Sequence, residues 1–210
     1  MDQAQILNLS SARAKKARLS VLFDKKWLRM ALVLCAGLSL VSGSTLLFIG
    51  ENIGYLLLAC ASWVSVPVLW YHGELKDLPA TAQLEAVAPL DAVLERTLLG
   101  RLPRNLNPQS LATSVMKTPG GIFYANRYAI SLDFIKTVLG NQPADLATIW
   151  AKAVQLSVTV PGETRVTDTA VAAALILSAP NASFYLSQLQ LDEDDIISGL
   201  LWRSHIRGVF

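Results

Sequence analysis

Cysteine is nearly missing from this 210-residue chain: there are two, Cys35 and Cys60, and both lie inside apolar runs. That excludes a secreted disulfide framework, and no Cys/His spacing points to a metal site. Histidine is as scarce, and His72 and His205 stand without partners of triad or metal type. No G-x-x-x-x-G-K-[ST] occurs, so these residues hold no P-loop ATPase module. The nearest glycine cluster, Thr118-Pro119-Gly120-Gly121, lacks the lysine and reads as a turn between helices. No serine stands in G-x-S-x-G. The residues offer no catalytic group, cofactor site or metal ligand set, so the expected class is a binding or interaction protein, not an enzyme.

Charge is the other thing in short supply. From Met30 to Tyr71 the single charged side chain is Glu51, beside Asn52 and between Gly50 and Gly54. Such a block predicts two membrane-spanning helices joined by a tight polar turn, at about 30–50 and 53–70, each near the ~20 residues a bilayer core requires. Small residues (Gly37, Ser39, Ser42, Gly43, Ser44, Ala59, Ala61, Ser62 and Ser65) let the two approach closely. No intramembrane charge pair supports transport or proton relay.

Before the block, Arg13, Lys15, Lys16, Arg18, Lys25, Lys26 and Arg29 face Asp2 and Asp24, a balance of +5; from His72 onward the balance is −2. The soluble part therefore has no bulk attraction for nucleic acid. Lys25, Lys26 and Arg29 abut the first span, which favours a cytoplasmic tail and returns the rest of the chain to the cytoplasm. A cleaved signal peptide fits poorly, because its basic region would be long and a second span follows at once. Residues 12–23 could form a helix on anionic headgroups, but the expectation is a loosely ordered positive-inside signal.

The predicted organisation is a basic tail over 1–29, a transmembrane hairpin over 30–71, a linker over 72–89 and a helical domain over 90–206. Apolar periodicity predicts helices at about 90–102, 108–117, 121–127, 131–139, 143–157, 168–178, 181–188 and 192–205. Asn107, Ser131 and Asp192 suit helix caps, and the run Asp192–Asp195 suits a first turn rather than a cation site. Asp91 and Glu95 read as one solvated helix face, and Val158–Val160 as a loop.

An internal repeat orders these helices. At an offset of 61, Phe123-Tyr124 meets Phe184-Tyr185, Ile130 meets Leu191, and Ser131 meets Asp192. Asp133 likewise meets Asp194, Ile135 meets Ile196, Leu139 meets Leu200, Pro119 meets Pro180 and Val115 meets Ile176. The expected fold is all-α, a pseudo-two-fold repeat of four-helix units after the hairpin.

The repeat resembles the N-terminal domain of Clp-type AAA+ unfoldases, the chaperone partners of the Clp protease. The likeness spans roughly residues 89–205 and rests on Thr169 to Leu177, Phe184 to Leu189 and Leu191 to Ile196, with Pro108 to Met116, Phe123 to Tyr128 and Ile130 to Ile135 in the first copy. It departs from the family at the helix-opening histidine, replaced by Gln109-Ser110 and Thr169-Ala170. It departs again at the glycine before each last helix, replaced by Ala129 and Gln190. The resemblance implies recruitment of protein substrates or adaptors to a Clp ATPase ring and protease at a bacterial inner membrane. The ATPase modules are not in these residues, so the chain is expected to be a fragment or a free-standing domain. The alternative expectation is a membrane-tethered helical scaffold unrelated to proteolysis. Phe123, Tyr124, Tyr128, Phe184, Tyr185 and Trp202 are candidate interface aromatics, expected mostly in the core.

Overall fold

Two apolar helices, long enough to cross a bilayer, dominate the first third of the chain. The computed structural model describes residues 7–84, 89–140 and 145–207. Its order is α1 (Ala12–Phe23), α2 (Lys26–Ile49), α3 (Ile53–Trp70) with a π-turn over Tyr71–Leu75, α4 (Leu90–Val93), α5 (Arg96–Arg101), α6 (Pro108–Val115), α7 (Pro119–Tyr128), α8 (Leu132–Gly140), α9 (Leu146–Val158), α10 (Asp168–Leu177), α11 (Ala182–Gln188) and α12 (Glu193–Arg207). The described residues contain no strand, and the chain divides into two units, Lys15–Pro79 and Met1–Ala14 with Ala80–Phe210.

The first unit holds the hairpin, and its two apolar stretches, Lys26–Ile49 and Ile53–Leu75, each suffice to cross a bilayer. Gly50, at φ 91°, ends α2, with its N–H donated to Leu47 O and that of Glu51 to Leu46 O. Those two bonds make a Schellman end, which lets the chain reverse within Glu51 and Asn52. Gly43 and Gly54 face each other across the pair: a Cβ on Gly54 would stand 2.6 Å from Gly43 O, and one on Gly43 2.9 Å from Gly54 O. Of the small residues that composition suggested, Gly43 and Ala61 are buried, and Gly54 joins them.

The basic tail is more ordered than expected. Residues 12–23 form α1, because Ala14, Ala17 and Ser20 recur at a spacing that buries one face. At its start the buried Arg13 donates to Asp91 O and, at 2.8 Å, to Leu94 O. Burial lowers the Arg13 pKa, nearby Arg165 lowers it further, and Asp91 acts the other way.

In the second unit α10 is buried on all sides from Asp168 to Ile176 and touches α6, α7, α9, α11 and α12. A helix apolar all round belongs inside, and its alanines let five neighbours close on it. The helix expected over 90–102 is two pieces. Leu94 is extended, Val93 O accepts from Val166 N, and Glu95 N donates to Val166 O, a parallel bridge that takes the backbone groups a continuous helix needs. Asp91 is consequently buried, and Glu95 accepts from Thr97 Oγ1 and Asp168 N, so the solvated-face reading fails.

The Thr118–Gly121 cluster is likewise the cap and first turn of α7, not an inter-helix turn: Thr118 accepts from Gly121 N. Gly120 N donates to the buried Asp168 Oδ2 at 2.7 Å, and a Cβ on Gly120 would lie 2.5 Å from Thr169 N. The start of the helix expected over 143–157 falls on 143–144, outside the described residues.

Candidate functional site

The chemistry available on the helical domain is aromatic and cationic. On α7, Phe123 and Arg127 are four apart and share a face, and α12 brings Trp202 and Arg203 to it. Phe123 stacks on Trp202 at 5.6 Å between ring centroids, with an interplanar angle of 25°. The Arg127 guanidinium lies 4.6 Å over the Trp202 ring and 5.5 Å from that of Tyr128, and Arg203 sits 5.8 Å from Phe123. Trp202 is 47% exposed.

The face is anchored from beneath. Tyr128 donates its hydroxyl to Asp195 O at 2.9 Å, over Gly199, where a Cβ would meet the Tyr128 oxygen at 2.6 Å. Fully buried Tyr124 donates to Ile196 O at 2.8 Å. Burial, helped by Tyr128 beside it, pushes the Tyr124 phenol far above the ordinary tyrosine range, so it stays a neutral donor. A stacked Trp with a guanidinium on its face has the chemistry that interface anchors use: large contact area, little side-chain freedom to lose, and a charge.

The candidate aromatics therefore separate. Tyr124 is core; Phe123, Tyr128 and Tyr185 are half-buried; Trp202 and Phe184 (59% exposed) are surface. Phe184 edges onto Tyr185, which edges onto Phe134 of α8 beside a shallow apolar groove formed by α8, α10 and α11. The groove's free space, about 10 Å³, is at the lower limit for one water. The arginines of the α7–α12 face were not anticipated; their signal was the spacing of Arg127 from Phe123 and the Trp202-Arg203 pair.

Among the described residues no group of three His, Cys, Asp or Glu could hold a metal. His72 is exposed and edges onto Tyr71, and His205 is exposed on α12. The acidic run opens α12: Asp192 Oδ1 accepts from Asp195 N, and Asp195 Oδ2 from Asp192 N. No family model, curated protein or solved structure matches the chain.

Proposed function

We propose that this protein is a membrane-anchored, Clp-N-like module that binds protein substrates or adaptors of a Clp-type unfoldase, with its helical domain on the cytoplasmic side of a bacterial inner membrane. One observation carries the reading. The elements α6–α8 recur as α10–α12 at an offset of 61, down to left-handed backbone at Ala129 (φ 56°) and Gln190 (φ 58°). After each, a side chain accepts from the N–H three residues on: Ser131 Oγ from Phe134 N, and Asp192 Oδ1 from Asp195 N. The copies also reach across in both directions, Tyr124 to Ile196 O and Tyr185 to Phe134. The family's glycine positions thus keep a glycine-like conformation without glycine.

The α7–α12 face supplies the docking surface in this reading, and the apolar hairpin holds it beside the membrane, where effective concentration aids weak capture. The test is quantitative co-purification of the tagged full chain from its own membranes, with and without Trp202→Ala. Clp-type ATPase or protease subunits enriched by the wild type and lost by the variant support the reading. Enrichment of an unrelated partner alone replaces it with the scaffold. A C-terminal fusion of a reporter active only in the periplasm reads the orientation, and its activity would contradict the cytoplasmic placement.

A further inference from the structure

At the open end of the hairpin, Arg18 of α1 and Arg29 of α2 each hold one buried guanidinium nitrogen without a hydrogen-bond partner. Lys16 on α1 pairs with Glu74 in the π-turn at 2.7 Å, and Asp24 just after α1 accepts from the Tyr71 hydroxyl at 2.7 Å. These contacts tie the stretch from Lys16 to Asp24, Arg18 included, to the turn that ends the second span. Arg29 lies one turn inside α2, its guanidinium 5.0 Å over the Tyr71 ring.

Arg13 on the same α1 finds two carbonyls, whereas Arg18 Nη2 and Arg29 Nε are buried without a hydrogen-bond partner. A buried donor without an acceptor carries its full desolvation cost. The carboxylates at this level are engaged: Asp24 by Tyr71, and Glu74 by Lys16 and, at 3.1 Å, by Trp70 Nε1. Lys15, Lys25 and Lys26 add positive charge nearby.

We propose that Arg18 and Arg29 bind phosphates of anionic phospholipid headgroups. The depth fits, because Arg29 begins an apolar span and Trp27 and Trp70 sit at the span ends, where indole rings mark the headgroup layer. The chemistry fits as well, since guanidinium groups match phosphate oxygens two at a time. The site is independent of the recruitment reading and needs only α1 and the hairpin.

Native mass spectrometry of the detergent-purified full chain, mixed with phosphatidylglycerol, phosphatidylcholine or inorganic phosphate, tests it. Wild-type protein should retain phosphatidylglycerol in preference to phosphatidylcholine, with an equal concentration of inorganic phosphate failing to displace it. Arg18→Gln and Arg29→Gln should each lower retention about fivefold. Arg18→Lys should lower it less, because charge remains and the two-pronged donor is lost. Equal retention of the two lipids, displacement by inorganic phosphate, or unchanged retention in the double Gln variant would overturn the site. The first two readouts use wild-type protein and stand even where a variant fails to fold.

Discussion

Ala129 and Gln190, 61 residues apart, hold the same left-handed backbone, φ 56° and 58°, at the step into α8 and into α12. A side chain with a Cβ is strained there by about 1 kcal/mol. Ala129→Gly and Gln190→Gly should therefore each stabilise the protein, by up to about 0.5 kcal/mol after the added freedom of the unfolded chain is deducted. Thermal unfolding of the detergent-solubilised protein should show a rise for each. A fall at either position would mean that the side chain there contributes more than the strain costs.

Asp168 holds the α7 start by accepting from Gly120 N. Asp168→Ala leaves that buried N–H without an acceptor and should cost about 1–3 kcal/mol, whereas Asp168→Asn keeps an acceptor and should cost less. Chemical denaturation of the two variants checks the order.

Much of this was readable in advance, and the exceptions share a cause. Spans, caps and most boundaries follow from local pattern: Asn107 does cap α6, accepting from Ser110 N, and α10 occupies Asp168–Leu177 where 168–178 was expected. The break at Leu94 depends on Val166, distant in sequence, and nothing within 90–102 signals it. Asp91 and Glu95 looked solvated for the same reason: the Asp91 carboxylate accepts from Asn8 N and that of Glu95 from Asp168 N, both distant in sequence. Left-handed backbone is announced by Gly or Asn, so Ala129 and Gln190 gave no local sign of it. In the site, Tyr124 fulfilled the core expectation, whereas Trp202 is exposed because its stacking partner Phe123 and the Arg127 above it come from another helix.

Tyr124 should make the protein alkali-sensitive. Its folded pKa is raised, so the folded state holds the phenolic proton more tightly than the unfolded one. Its contribution is whole below the ordinary tyrosine value near 10 and is lost as pH climbs beyond it. Stability measured from pH 8 to 11 should fall above about 10. Tyr124→Phe, lower in stability by about 1 kcal/mol at pH 8 for the lost bond to Ile196 O, should show a shallower fall. Equal slopes would contradict the assignment.

Gly54→Val puts a branched side chain where even a Cβ would meet Gly43 O and Leu47 at 2.6 Å. The hairpin should splay, at a cost of about 1–3 kcal/mol. Distances between spin labels placed on α2 and α3 in reconstituted protein should lengthen, and an unchanged distance would show that the pair adapts by another route.

The central claim is recruitment through the Phe123–Arg127–Trp202 face. The most direct measurement replaces Trp202 with a photo-crosslinking amino acid in the full chain, irradiates intact cells and identifies the crosslinked proteins. The account predicts crosslinks to a Clp-type unfoldase, its adaptors or its substrates, lost when Arg127 is also changed to Glu. Crosslinks confined to lipid or to proteins with no link to unfolding, or a pattern unchanged by Arg127→Glu, would contradict it.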